Sequence, residues 1–205
     1  MSGQTGPVFR FAELEREQLL QRVAPEFDAG MVLRIIAGPG MGKTCFIRQL
    51  LRRKAVDSGL LDFRTLGSRP DSFVLHLQAV FTRLWPGLDR LVPPAGKHEI
   101  FSDQEAALRR LDFLLDALSF HADGPAILVL DSCELLAGRE EEQQLVSLLL
   151  QRLPGSVSII VSSRSSLSFA PLTTRRLEGG LLELRDRDLV FDQAEADSFL
   201  RCNLP

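Results

Sequence analysis

The sequence predicts an α/β fold in which a parallel sheet of five strands is flanked by helices. Three observations carry this. Short apolar runs alternate with stretches of helical periodicity along most of the chain. Two of those runs, Ala126 to Leu130 and Val157 to Val161, are nearly all apolar, as in strands buried on both faces of a parallel sheet. A third, residues 31–37, leads into a glycine-rich turn and then directly into an amphipathic stretch.

In chain order, residues 1–10 read as a flexible lead-in. Residues 12–24 read as a short helix, with Leu14, Leu19, Leu20 and Val23 on its apolar side. Pro25 to Gly30 breaks it, and the first strand follows at 31–37. A helix is expected over about 43–57, with Phe46, Ile47, Leu50 and Leu51 inward and Ser58-Gly59 ending it. Leu60 to Leu66 reads as the second strand. Pro70 suits the first position of a helix reaching Leu84 or Trp85. Pro86 to Lys97 holds three prolines and two glycines and is expected to be a loop. Ser102-x-x-Glu105 is a capping box opening a helix to about Ala122, and Gly124-Pro125 stops it. After the strand at 126–130 come a helix over about 139–153, the strand at 157–161, and a short last strand, Leu181 to Leu184. Asp192-x-x-Glu195 caps a terminal helix.

Composition narrows the function. With 205 residues the chain can bury a sizeable core. A net charge of −3 gives no general attraction to nucleic acid, and the basic pairs at 52–54, 109–110 and 175–176 suit solvated faces and turns, so no direct DNA binding is expected. Cys45, Cys133 and Cys202 show no CxxC spacing, which argues against a disulfide framework or a zinc site and suits a reducing cytoplasm. No apolar run is long enough to cross a bilayer, so no membrane partner is expected.

The chemistry-bearing stretch is Ala37-Gly38-Pro39-Gly40-Met41-Gly42-Lys43-Thr44, followed by Cys45. It fits the phosphate-binding pattern [Ala/Gly]-x4-Gly-Lys-[Ser/Thr], with Ala37 where glycine is usual. Glycines let backbone N–H groups point at phosphate oxygens, and the positive end of the next helix adds to that field. Lys43 is expected on the β- and γ-phosphates and the Thr44 hydroxyl on Mg²⁺. Asp131, at the end of an apolar strand, is the second expected Mg²⁺ ligand. Many ATP hydrolases carry another carboxylate directly afterwards to orient the attacking water. Ser132 stands there instead, and Glu134 could serve if the strand end curls back. Arg164, following Ser162-Ser163 at a strand end, is expected to sense the γ-phosphate. No Asn-Lys-x-Asp run occurs, so adenine is expected rather than guanine.

With these pieces in order, the chain resembles the STAND class of signal-transduction ATPases, and most of all the ATPase module of large ATP-binding LuxR-type transcription regulators, the group of the maltotriose-responsive activator. Leu14 to Leu20 is similar to the class's apolar-Gly-Arg-Glu signature beside the adenine, with Glu15 in place of the glycine, which implies an adenine-side role for Arg16. Ile159 to Arg164 looks like its strand-Thr/Ser-Ser-Arg sensor, and residues 171–196 resemble the segment that follows. The resemblance implies a P-loop NTPase fold of the AAA+/STAND-like kind over residues 11–205. It also implies ATP or ADP with Mg²⁺ as ligands, and protein partners or self-association in the ATP state. Winged-helix, sensor-repeat and helix-turn-helix domains of the class have no counterpart in these residues. A slow Mg²⁺-dependent ATPase switch is the first functional expectation. An AAA+-type motor or clamp loader acting on nucleic acid or protein is the second, and a small-molecule phosphotransferase the third.

Overall fold

The computed structural model describes residues 13–67, 69–92 and 104–203. Its centre is one five-stranded sheet, all parallel, in the order β2-β3-β4-β1-β5. The strands are β1 (Val32–Ile36), β2 (Asp57–Asp62), β3 (Ala126–Asp131), β4 (Val157–Ser163) and β5 (Leu181–Arg185). Helices α1 (Glu17–Val23), α2 (Lys43–Lys54), α3 (Pro70–Leu84), α4 (Leu88–Leu91), α5 (Gln104–His121), α6 (Glu140–Arg152), α7 (Ala170–Leu177), α8 (Asp186–Leu189) and α9 (Gln193–Asn203) connect or extend them. A 3-10 turn, Cys133–Leu136, follows β3.

Each face of the sheet has its own core, as a strand period of two demands. Leu33 and Ile35 of β1, Ile127 and Val129 of β3 and Ile160 of β4 meet Phe46, Ile47 and Leu50 of α2 and Leu19, Leu20 and Val23 of α1. On the other face, Leu128 and Leu130 of β3 and Ile159 and Val161 of β4 pack with α3, α5 and α6, which supply Phe73, Leu77, Phe81, Leu111, Leu115, Leu145 and Leu149. The central strands β3 and β4 are buried throughout, as their apolar sequences predict.

Several boundaries differ from expectation for identifiable reasons. Helix α2 stops at Lys54 because Ala55 takes a left-handed conformation at its end (φ 50°), and β2 begins at Asp57. The expected strand at 60–66 therefore lies several residues too late. Gly59 does not end a helix. It sits inside β2, where an added Cβ would overlap the side chain of Val80 from α3. The loop expected at 86–97 contains α4, anchored by buried Leu88 and Val92. Helix α7 had no strong signal, since only Leu172 of its eight residues is buried. The lead-in at 1–10 and Ser102 of the first capping box lie outside the described residues. The second capping box is present: Asp192 N–H donates to Glu195 Oε2 (3.1 Å) and Glu195 N–H to Asp192 Oδ1 (2.8 Å).

Candidate functional site

The strand order puts β4 between the strand that enters the glycine-rich loop and the strand that ends in Asp131. All five strands run the same way, so loop, Asp131 and Arg164 reach one edge of the sheet, the carboxyl edge where α/β folds bind ligands. There they line a cleft of about 280 Å³, together with Pro39, Gly40, Met41, Gly42, Lys43, Thr44, Cys45, Arg64, Ser132 and Glu134.

The loop forms one wall. Gly40 and Gly42 hold φ of +77° and +78°, the left-handed region that side chains resist, and an added Cβ on either would meet nothing within 4 Å. The glycines are thus needed for backbone conformation. Ala37 is buried and its φ is not positive, so a methyl is tolerated where glycine is usual. Gly42 is the N-cap of α2 and no side chain caps that end, which leaves first-turn N–H groups available to an anion. Lys43 Nζ donates to Ala37 O (2.6 Å) and Gly38 O (2.8 Å), bracing the loop from beneath. Burial lowers the pKa of Lys43, against the attraction of Glu134 and Asp131.

Side chains from three strand ends form the other wall. Asp131 Oδ1 accepts from Ser132 N–H (2.8 Å). Ser132 is left-handed (φ 61°), an uncommon state for a non-glycine residue, and the 3-10 turn follows at once. This curl brings Glu134 back to the cleft. Its Oε1 lies 3.1 Å from Arg164 Nε and its Oε2 accepts from Arg164 N–H at 3.0 Å. The residues expected to place water and to sense phosphate are therefore bonded to one another. Asp62 ends β2 in register with Asp131 and takes the Arg64 guanidinium along its Nε–Nη2 edge at 2.7 to 3.1 Å. Burial pushes the Asp62 carboxyl up, but hydrogen bonds from Arg64 and Ser132 outweigh it and hold the group below the usual carboxylate range.

Two expected residues are elsewhere. Gly38 does not line the cleft, and its N–H donates to Asp186 Oδ1 (2.8 Å). Arg16 is buried away from the cleft: Nε pairs with Glu195 (2.9 Å), Nη1 donates to Leu189 O (2.8 Å) and Nη2 to Val190 O (3.3 Å), and the guanidinium lies 4.9 Å from the Phe191 ring centre. Its donors tie α1 to the segment after β5. Arg64 and Asp62 carry no local motif, and only the pairing of β2 with β3 could have drawn attention to them.

Thr44 is exposed at the second residue of α2, and Asp131 lines the cleft with Oδ2 outside its Ser132 bond. Among the described residues no group of three or more His, Cys, Asp or Glu could hold an ion alone. One hydroxyl and one carboxylate beside a phosphate site fit Mg²⁺, which takes few protein ligands and completes its shell with phosphate and water.

Comparison with solved structures places the fold. The chain is similar to Aeropyrum pernix Orc1 in complex with DNA, at 20% identity and a TM-score of 0.57, over 96% of this chain and 51% of that one. It is also similar to a chain of Drosophila ORC bound to GC-rich DNA and Cdc6, at 8% identity and a TM-score of 0.50, over 83% and 53%. The fold is that of an AAA+ P-loop NTPase. This chain spans about half the length of either neighbour. No family model and no curated protein matches it. Both neighbours are described as bound to DNA, so they lend no support to the expectation that DNA is not a partner. No described helix is long and apolar enough to cross a membrane.

Proposed function

We propose that this chain is the nucleotide-binding domain of an AAA+-type ATPase that binds ATP and ADP with Mg²⁺, hydrolyses ATP slowly, and works on a macromolecular target. One observation carries the reading: the glycine loop with Lys43, Asp131 and Arg164 converge on a single cleft from three separate strand ends. In this reading the loop N–H groups and Lys43 hold the phosphates, and Thr44 and Asp131 would hold Mg²⁺. The ion, when bound, offsets charge on the phosphate oxygens. Arg164 reports the terminal phosphate, and its bond to Glu134 is the contact that such a phosphate would compete for. Residues 11–205 form one domain, and adenine is the base.

DNA is the first target to test, because the two similar structures are described with DNA. The second reading is a STAND-type switch with a protein partner, to which the residues 14–20 and 159–164 pointed. It draws on Ser132 in place of a second carboxylate and on Glu134 held by Arg164, both of which suit a long-lived ATP state.

The experiment is to identify the nucleotide that co-purifies with the chain and to measure Mg²⁺-dependent ATP turnover with and without duplex DNA. Bound adenine nucleotide with DNA-stimulated turnover is the expected result. Tight binding with turnover indifferent to DNA favours the switch, and GTP competing as well as ATP removes the adenine assignment.

A further inference from the structure

Three cations line the cleft, and the proposed function uses only Lys43 and Arg164. The third, Arg64, stands in the turn directly after β2. Asp62 grips the Nε–Nη2 edge of its guanidinium, while Nη1 has no hydrogen-bond partner among the described residues. Asp62 is recessed, with its side chain 15% exposed, and Arg64 stands proud at 56%. Arg64 Nη2 also lies 3.9 Å from Asp131 Oδ2, on the strand end next to it. The arginine is thus held over the acidic side of the cleft by a carboxylate that uses only one edge of its fork.

An isolated surface pair of this kind contributes little to stability. Its position is what matters. Planar guanidinium can hold a carboxylate on one edge and offer its remaining N–H groups to a phosphate. The loop wall supplies amides and Lys43 to whichever phosphates lie along it. A phosphate that extends past the loop toward Asp131 comes toward Arg64, whose Nη2 lies 3.9 Å from Asp131 Oδ2.

We infer that Arg64 is a second contact to the third phosphate, beside Arg164, by which the cleft favours a nucleoside triphosphate over a diphosphate, with Asp62 as the group that positions it; this rests on the nucleotide reading above. Arg64 touches the third phosphate, and a diphosphate is too short to reach it.

The test measures ATP and ADP affinities, by displacement of a fluorescent ADP analogue, for the full chain and for Arg64→Gln, Arg64→Lys and Asp62→Asn. Arg64→Gln is expected to weaken ATP by about 10- to 100-fold, the range of a charge-assisted hydrogen bond, and to leave ADP unchanged. Arg64→Lys, which keeps the charge without the fork, falls between and remains informative if the Gln variant fails to fold. Asp62→Asn removes the positioning carboxylate but retains the arginine, so it narrows the preference for ATP over ADP, though less than Arg64→Gln does. Equal weakening of both nucleotides by Arg64→Gln, no change in either, or an unchanged preference in Asp62→Asn overturns the inference while the nucleotide reading stands. Failure of the unaltered chain to bind any nucleotide overturns both.

Discussion

The two walls of the cleft are built on opposite plans. The loop wall is backbone: two left-handed glycines, an uncapped helix start and one lysine tied to the loop's own carbonyls. The facing wall is side chains: Asp62 with Arg64, and Glu134 with Arg164, drawn from three strand ends and paired across the sequence. A backbone wall is ready for an anion with little rearrangement. A wall of paired charges must add or exchange partners when a ligand enters, so it is the wall that can register which ligand has entered. Binding should depend on the first wall and discrimination on the second.

Lys43→Ala should have the largest effect. It removes the one cation of the loop wall, so ATP and ADP binding are both lost in calorimetry. The fold stays intact, because Lys43 is a partly exposed residue at a helix start. A collapsed thermal melt, or unchanged binding, would show that the loop does not carry affinity.

Next comes hydrolysis, which belongs to the facing wall. The isolated chain should turn over ATP well below the ~10 s⁻¹ median of enzymes. Glu134→Gln should cut that residual rate by about 10²–10⁴-fold, the usual worth of a positioned base, with little change in ADP affinity. Ser132→Asp should raise the rate. Fast turnover indifferent to Glu134→Gln would mean that another group places the water.

Asp131→Asn should act more mildly. ATP affinity in Mg²⁺ is expected to fall about tenfold, toward the value seen with chelator, whereas binding without Mg²⁺ changes little. Equal loss under both conditions would make Asp131 a structural residue of the curl at Ser132.

Gly59→Ala should be the smallest, and it reads first in stability. The added methyl overlaps Val80, so β2 or α3 must shift, at a cost of about 1–3 kcal/mol in denaturant unfolding. Since β2 carries Asp62 and Arg64, the ATP preference should drop with it while ADP binding on the loop wall survives.

The two walls also differ in how far the sequence exposed them. The loop wall is contiguous, and its glycines, Lys43 and Thr44 follow a spacing set by phosphate chemistry, so eight residues sufficed to read it. Asp131 and Arg164 were legible because each ends an apolar run with a polar residue. Arg64 is not, because Gly59 reads as a helix stop, which puts the second strand at 60–66. That range buries Asp62 and Arg64 in mid-strand, when Asp62 in fact ends the strand and Arg64 lies past it. The glycine's actual role, making room for Val80, depends on a contact 21 residues away and leaves no local mark. Arg16 shows the reverse difficulty. Its neighbours resemble an adenine-side signature, yet its guanidinium is consumed by Glu195 and two carbonyls more than 170 residues later in the chain.

The place of β4 has one more consequence. Neighbouring parallel strands stand about 4.8 Å apart, so interposing one strand between β1 and β3 separates the loop from Asp131 by roughly 10 Å. That distance is a ruler made of main-chain hydrogen bonds, and no side-chain substitution along either wall can lengthen it. Evolution could retune which groups face each other across the gap, swapping a second carboxylate for Ser132 or adding an arginine at position 64, without changing the span. The reach between the two walls is thus inherited from sheet geometry, and only the vocabulary of groups spoken across it is free to vary.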